Sequence, residues 1–140
     1  MDLTRRRALA LGTGTLAFAT LAGLPAFASL TDDAIAAITG GAEVTEGGID
    51  LIAPEIAENG NTVPVEVSAA GAVEIALFAT GNPTPAVATF KFGPLAGSRS
   101  GSTRIRLAKT QDVVAIAKME DGSFRKASAT VKVTIGGCGG

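Results

Sequence analysis

At 140 residues the chain has room for one domain with a modest core. Charged residues are sparse at 18%, apolar residues reach 46%, Phe is the only aromatic and the net charge is −1, a small-residue globular composition with no basic stripe or Trp/Tyr stacking platform for nucleic acid. The absence of histidine removes Ser-His-Asp and Cys-His nucleophiles and His-ligated metals, and a single cysteine removes an internal disulfide, a Cys-x-x-Cys pair and an iron–sulfur site.

Residues 1–28 read as an export leader. Arg5 and Arg6 follow Thr4 in a charged start, an apolar stretch diluted by Gly and Thr runs from Ala8 to Leu24, and Ala26-Phe27-Ala28 supplies a small-x-small cleavage pattern. The segment resembles a twin-arginine signal, with Ala8 and Ala10 where that motif usually has Phe and Lys. Cleavage after Ala28 would start the mature chain at Ser29. Removing Arg5, Arg6, Arg7 and Asp2 from 12 basic and 13 acidic residues leaves 9 and 12, a net of −3. The expected location is the periplasm, and no cysteine follows the cleavage site to make a lipoprotein. The apolar run is short for a membrane span.

Residues 29–135 read as one domain. Thr31 to Ile38 has the pattern of a short helix, with Thr31 as cap, Asp32 and Asp33 at its positive end, and Ala34, Ile35 and Ile38 on one apolar face. Gly40-Gly41 stop it. Strands then alternate with turns. The first is expected over Ile49–Ala53, closed by Pro54; a turn at Glu58-Asn59-Gly60-Asn61 leads to Thr62–Ala69, with Val63, Val65 and Val67 inward. Val73–Thr80 places Val73, Ile75 and Leu77 on one face. A proline-rich loop, Gly81–Pro85, precedes Val87–Phe92, and Gly93–Gly101 reads as a long polar loop. Thr103–Ala108 puts Ile105 and Leu107 in, and Asp112–Met119 is continuously apolar, hence central. Asp121-Gly122 is a hairpin turn. The last strand, Arg125–Ile135, alternates most regularly, with Ala127, Ala129, Val131, Val133 and Ile135 inward. Seven short strands at regular spacing predict an all-β fold, an immunoglobulin-like antiparallel β-sandwich. Asp32-Asp33 and Glu55-x-x-Glu58 lack the oxygen-ligand density of a calcium loop and read as solvated positions.

Residues 136–140 form an arm: Gly136 and Gly137 before Cys138, Gly139 and Gly140 after it. Glycine has the widest backbone freedom, so the thiol can sweep an arc of roughly 10 Å from Ile135 at about 3.3–3.6 Å per extended residue. A free thiol in an oxidising compartment is a liability unless it is used. An unperturbed cysteine titrates near ~8.5, and the chain holds no histidine and no Lys or Arg in its last seven residues to lower that value. Catalysis needs an activated nucleophile held beside its base. The tail therefore reads as a covalent handle acted on by other proteins, with no cofactor and no catalytic residue of its own.

An exported β-domain of this size ending in Gly-Gly-Cys-Gly-Gly resembles SoxY, the sulfur-carrier subunit family of the periplasmic thiosulfate-oxidising (Sox) system. The stretch Glu58-Asn59-Gly60-Asn61-Thr62-Val63-Pro64-Val65 is similar to that family as well. The resemblance implies a heterodimer with a second β-sandwich protein, SoxZ. It implies loading of thiosulfate onto Cys138 by the haem enzyme SoxAX, sulfate release by the manganese-dependent hydrolase SoxB, and, in some organisms, oxidation of the remaining sulfur by the molybdenum–haem enzyme SoxCD. The arm glycines would let Cys138 enter narrow channels. Two other classes stay open: a Gly-Gly thiocarboxylate carrier using the Gly140 carboxylate, and an exported structural β-domain dimerised by a Cys138 disulfide.

Overall fold

The computed structural model describes residues 27–137, with side chains from Leu30 onward. The leader residues Arg5, Arg6 and Ala26, and Cys138, Gly139 and Gly140 of the arm, lie outside the described residues. One helix and nine strands follow in order: α1 (Phe27–Thr39), β1 (Val44–Glu46), β2 (Asp50–Ile52), β3 (Ile56–Asn59), β4 (Val63–Ser68), β5 (Ala72–Ala79), β6 (Ala86–Lys91), β7 (Ser100–Ile105), β8 (Gln111–Met119) and β9 (Phe124–Ile135).

The two sheets follow from alternation. In β4, Val63, Val65 and Val67 are buried while Pro64 and Glu66 are exposed. This strand is the middle of a three-stranded antiparallel sheet, β2-β4-β7. Strand β2 stops at Ile52 opposite Glu66, so Pro64 takes no ladder bond away from a strand on that side. The larger sheet runs β1-β9-β8-β5-β6, with β3 added on β9. Val63, Val65 and Val67 meet Ile75, Leu77, Val113, Ala115 and Val131 between the sheets, forming the sandwich core. The immunoglobulin-like outline is thus an antiparallel sandwich. Two short parallel pairings extend it, β1 on β9 and β3 on β9.

The larger sheet is buried on both faces. Ala76, Phe78, Val114, Ile116 and Phe124 point away from the sandwich core and are covered by Ala34, Ile35 and Ile38 of α1. Burial on both sides explains the continuous apolar run of β8, which lies between β5 and β9.

Several boundaries differ from the sequence reading. Helix α1 begins at Phe27, so Thr31 is buried inside it and does not cap it; nothing in Phe27–Leu30 breaks a helix. Ala28, the expected cleavage residue, falls in its first turn. Strand β7 starts at Ser100, inside the stretch read as loop, and ends at Ile105. Its glycine is needed for space: a Cβ on Gly101 would strike the Phe90 ring, 2.5 Å from Cδ1. Val73 sits at a bulge where β5 slips against β8, which leaves it half-buried and outside the core. Ile135, expected inward, is 67% exposed. The β8–β9 ladder ends at Gln111↔Val131, and the last residues of β9 pair with the short β3 instead. The Asp121-Gly122 turn is as expected, with Gly122 at φ +84°.

Candidate functional site: the root of the C-terminal arm

Strand β9 carries the chain out of the sandwich, and its end is held by three other segments. Glu55 O accepts the Lys132 N–H at 2.9 Å, and the Thr110 hydroxyl accepts the Val133 N–H at 2.9 Å. The Gly60 N–H donates to Ile135 O at 2.7 Å. The register Asn59↔Ile135 sets β3 beside the last residue of β9.

The arm does not leave the body at Ile135. The Gly137 N–H donates to Leu107 O at 2.8 Å, and the Leu107 N–H donates to Gly60 O at 2.8 Å. Gly60 and Gly137 are therefore two ends of one backbone relay through Leu107. Gly136 lies against Ala108 O, with no room there for a Cβ. Of the residues the sequence marked as flexible arm, Gly136 and Gly137 are in contact with the domain.

The 106–111 segment that receives the arm has its own brace. Asn82, fully buried, donates from Nδ2 to Arg106 O at 2.8 Å. Its Oδ1 accepts from the Ala108 N–H at 3.0 Å and from Gln111 Nε2 at 2.8 Å. Gln111 Nε2 also donates to Lys109 O at 2.9 Å, and Gln111 Oε1 accepts the Gly81 N–H at 2.8 Å. A buried amide pair thus satisfies the backbone of a segment that is neither helix nor strand. No buried polar side-chain atom among the described residues is left without a partner.

Sequence reasoning placed the tail but missed Gly60, Asn82, Leu107 and Ala108 as its neighbours. In the sequence Gly60 has only the signature of a turn, and Asn82 only that of a proline-rich loop. The one available signal was the Glu58–Val65 stretch, which surrounds Gly60. The structure also sets exposed Arg106 and Lys109 on either side of the two residues that receive the arm, so basic residues remote in sequence flank its root. Among the described residues, no group of three or more His, Cys, Asp or Glu side chains is arranged to hold a metal ion. No described helix is long and apolar enough to cross a membrane. Among the described residues, Asp121 in the β8–β9 turn titrates below its ordinary value. Hydrogen bonds from the Ser123 hydroxyl and then the Ser123 N–H lower its pKa.

These features define a class: a β-sandwich scaffold whose C-terminal tail is rooted on the body and carries a glycine-flanked cysteine. The comparisons place it further. A family model described as "Sulfur oxidation protein SoxY" matches residues 35–138, and the chain belongs to the SoxY family, the sulfur carriers of sulfur oxidation. The sulfur carrier protein SoxY from Chlorobium limicola f thiosulfatophilum is 42% identical, with a TM-score of 0.68 over 77% of this chain and 99% of that one. A superoxide reductase (neelaredoxin) from Ignicoccus hospitalis is 19% identical with a TM-score of 0.55, covering 62% of this chain and 80% of that one. A variant of the Ignicoccus hospitalis superoxide reductase is 20% identical with a TM-score of 0.55, covering 69% of this chain and 86% of that one. Those two share the fold alone, and no activity carries over from them. No curated protein sequence matches the chain.

Proposed function

We propose that this chain is a periplasmic, non-catalytic carrier that holds thiosulfate-derived sulfur covalently on Cys138 while partner enzymes act on it. The observation that carries this reading is the family match, which extends from the helix to Cys138 itself. The chemistry suits a carrier. In loading, the Cys138 thiol loses a proton and its sulfur bonds to the outer sulfur of thiosulfate. Two electrons leave to a haem-type acceptor on a SoxAX-like partner, and the product is a Cys–S–S–SO₃⁻ adduct. In hydrolysis, water attacks the sulfonate sulfur on a SoxB-like partner. Sulfate and two protons leave, and the persulfide anion stays on Cys138. Neither step asks this chain for a base or a metal. A SoxZ-like sandwich is the structural partner, and a SoxCD-like dehydrogenase would oxidise the remaining sulfur where the host has one.

The test is the intact mass of the mature protein isolated from the periplasm of thiosulfate-fed cells, with and without reductant. Reductant-labile, sulfur-containing adducts on the C-terminal peptide are expected, and Cys138→Ser should abolish them. A chain found only as free thiol or plain disulfide dimer would overturn the carrier reading. Adducts that survive Cys138→Ser would point to the Gly140 carboxylate.

A further inference from the structure

The stretch Glu58–Val65, which shares in the family likeness, lies about 70 residues before the arm in sequence and touches its first two glycines in the fold. Gly60 gives its N–H to Ile135 O and takes the Leu107 N–H on its own carbonyl, while Leu107 O takes the Gly137 N–H. A Cβ on Gly60 would meet Leu107 O and the Gly137 nitrogen closer than 3.0 Å, and the Val133 Cγ1 at 2.9 Å. A Cβ on Gly136 would collide with Ala108 O, and one on Gly137 would stand 2.8 Å from Gly60 O. The nearest obstacles are backbone atoms, which cannot swing aside as a side-chain end can. None of the three glycines has a positive φ. Glycine is required here for close approach, not for a left-handed conformation.

We infer that Gly60, with Leu107 and Ala108, forms a seat that fixes the root of the arm, and that Gly60 is a positioning residue for Cys138. The consequence for the carrier rests on the function proposed above; the seat itself does not. With the root seated, the tether is anchored at Gly137, and Cys138 Cα lies about 3.8 Å from a fixed point. Releasing the seat frees two more residues and lengthens the reach by roughly 7 Å at ~3.3–3.6 Å per residue. A seated root presents the thiol to a partner from one place on the body and spares the partner the entropy of ordering a longer tether. Asn82 acts behind the seat by holding Arg106 O and the Ala108 N–H.

The experiment uses the full mature chain and reads hydrogen exchange at the residue-137 amide by NMR. Gly60→Ala should speed that exchange about three- to tenfold, the weight of one lost backbone hydrogen bond, while β8 amides keep their protection. Gly93→Ala, where a Cβ meets nothing within 4 Å, is the control and should change neither. Gly137→Ala disturbs the same seat from the arm side and remains informative if Gly60→Ala loosens the fold. The double variant should exchange no faster than the worse single one, because both act on one contact. Alkylation of Cys138 by iodoacetamide should not slow in either variant. Loading by the partner oxidase should lose at least about threefold in kcat/KM, carried by KM, as a longer unordered tether implies. Unchanged exchange at residue 137 in both variants, additive effects, or faster loading would overturn the seat. Failure to find sulfur adducts on the wild-type chain would overturn the carrier reading and leave the exchange result standing.

Discussion

Replacing Asn82 with Leu removes the polar end of a fully buried side chain and keeps its bulk. Three groups lose a partner: Arg106 O, the Ala108 N–H and one hydrogen of Gln111 Nε2. Gln111 keeps its bond to Lys109 O, and half-buried Ala108 recovers part of its loss from water, so the three penalties are unequal. An orphaned buried donor or acceptor costs about 1–3 kcal/mol, which puts the sum at ~3–5 kcal/mol. A domain of this size has a typical total of ~5–15 kcal/mol, so the variant should fold but unfold early. The assay is equilibrium urea unfolding followed by far-UV circular dichroism, since the chain has no Trp or Tyr to report by fluorescence. The midpoint should fall without a large change in slope. The residue-137 amide should also lose protection, because the 106–111 segment that receives the arm is no longer braced. A loss below ~1 kcal/mol would refute the reasoning, since it would mean that these three groups find partners without Asn82.

Phe78→Ala should cost ~3–5 kcal/mol, because Phe78 is fully buried on the face of β5 that α1 covers, in the cluster that also holds Val114, Ile116 and Ile35. Thermal melts should show the loss, and exchange in α1 should rise ahead of exchange in β4; an equal rise in both would mean that the helix face is not a separate cluster. Asp121 accepts the Ser123 hydroxyl at 2.6 Å and the Ser123 N–H at 2.9 Å, which holds its carboxyl below the ordinary 3.8. A folded pKa under the unfolded one stabilises above the unfolded value, and that contribution vanishes as pH falls through the folded value. NMR titration of the Asp121 carboxyl should therefore give a midpoint below 3.8, rising toward the ordinary value in Ser123→Ala, which removes the hydroxyl bond and keeps the backbone one. An unshifted midpoint in the wild type would dismiss the turn's contribution.

The strands legible in the sequence were those with one wet face. Alternation in Thr62–Ala69 predicted the buried Val63, Val65 and Val67 of β4, and a continuous apolar run predicted the central place of β8. Strands β1 and β3 escaped because three or four residues with mixed polarity show no period; they form only because the twelve-residue β9 offers unpaired edges to lie on. Strand β7 was displaced because Ser100-Gly101-Ser102 has little strand propensity of its own, and Gly101 fits there only under the Phe90 ring.

The sequence by itself determined the sandwich class, the helix face of Ala34, Ile35 and Ile38, the absence of histidine chemistry and the glycine-flanked thiol at the terminus. Those features are written in side chains and in their spacing. Tertiary structure alone decided that α1 covers the outer face of the larger sheet, that Asn82 braces the 106–111 segment, and that Gly60 receives Gly137 through Leu107. The physical reason is that the arm root is held by backbone meeting backbone where a Cβ is missing. A contact made of absent side chains has no periodicity or charge to read along the chain, and becomes visible only when residues 60, 107 and 137 are brought together.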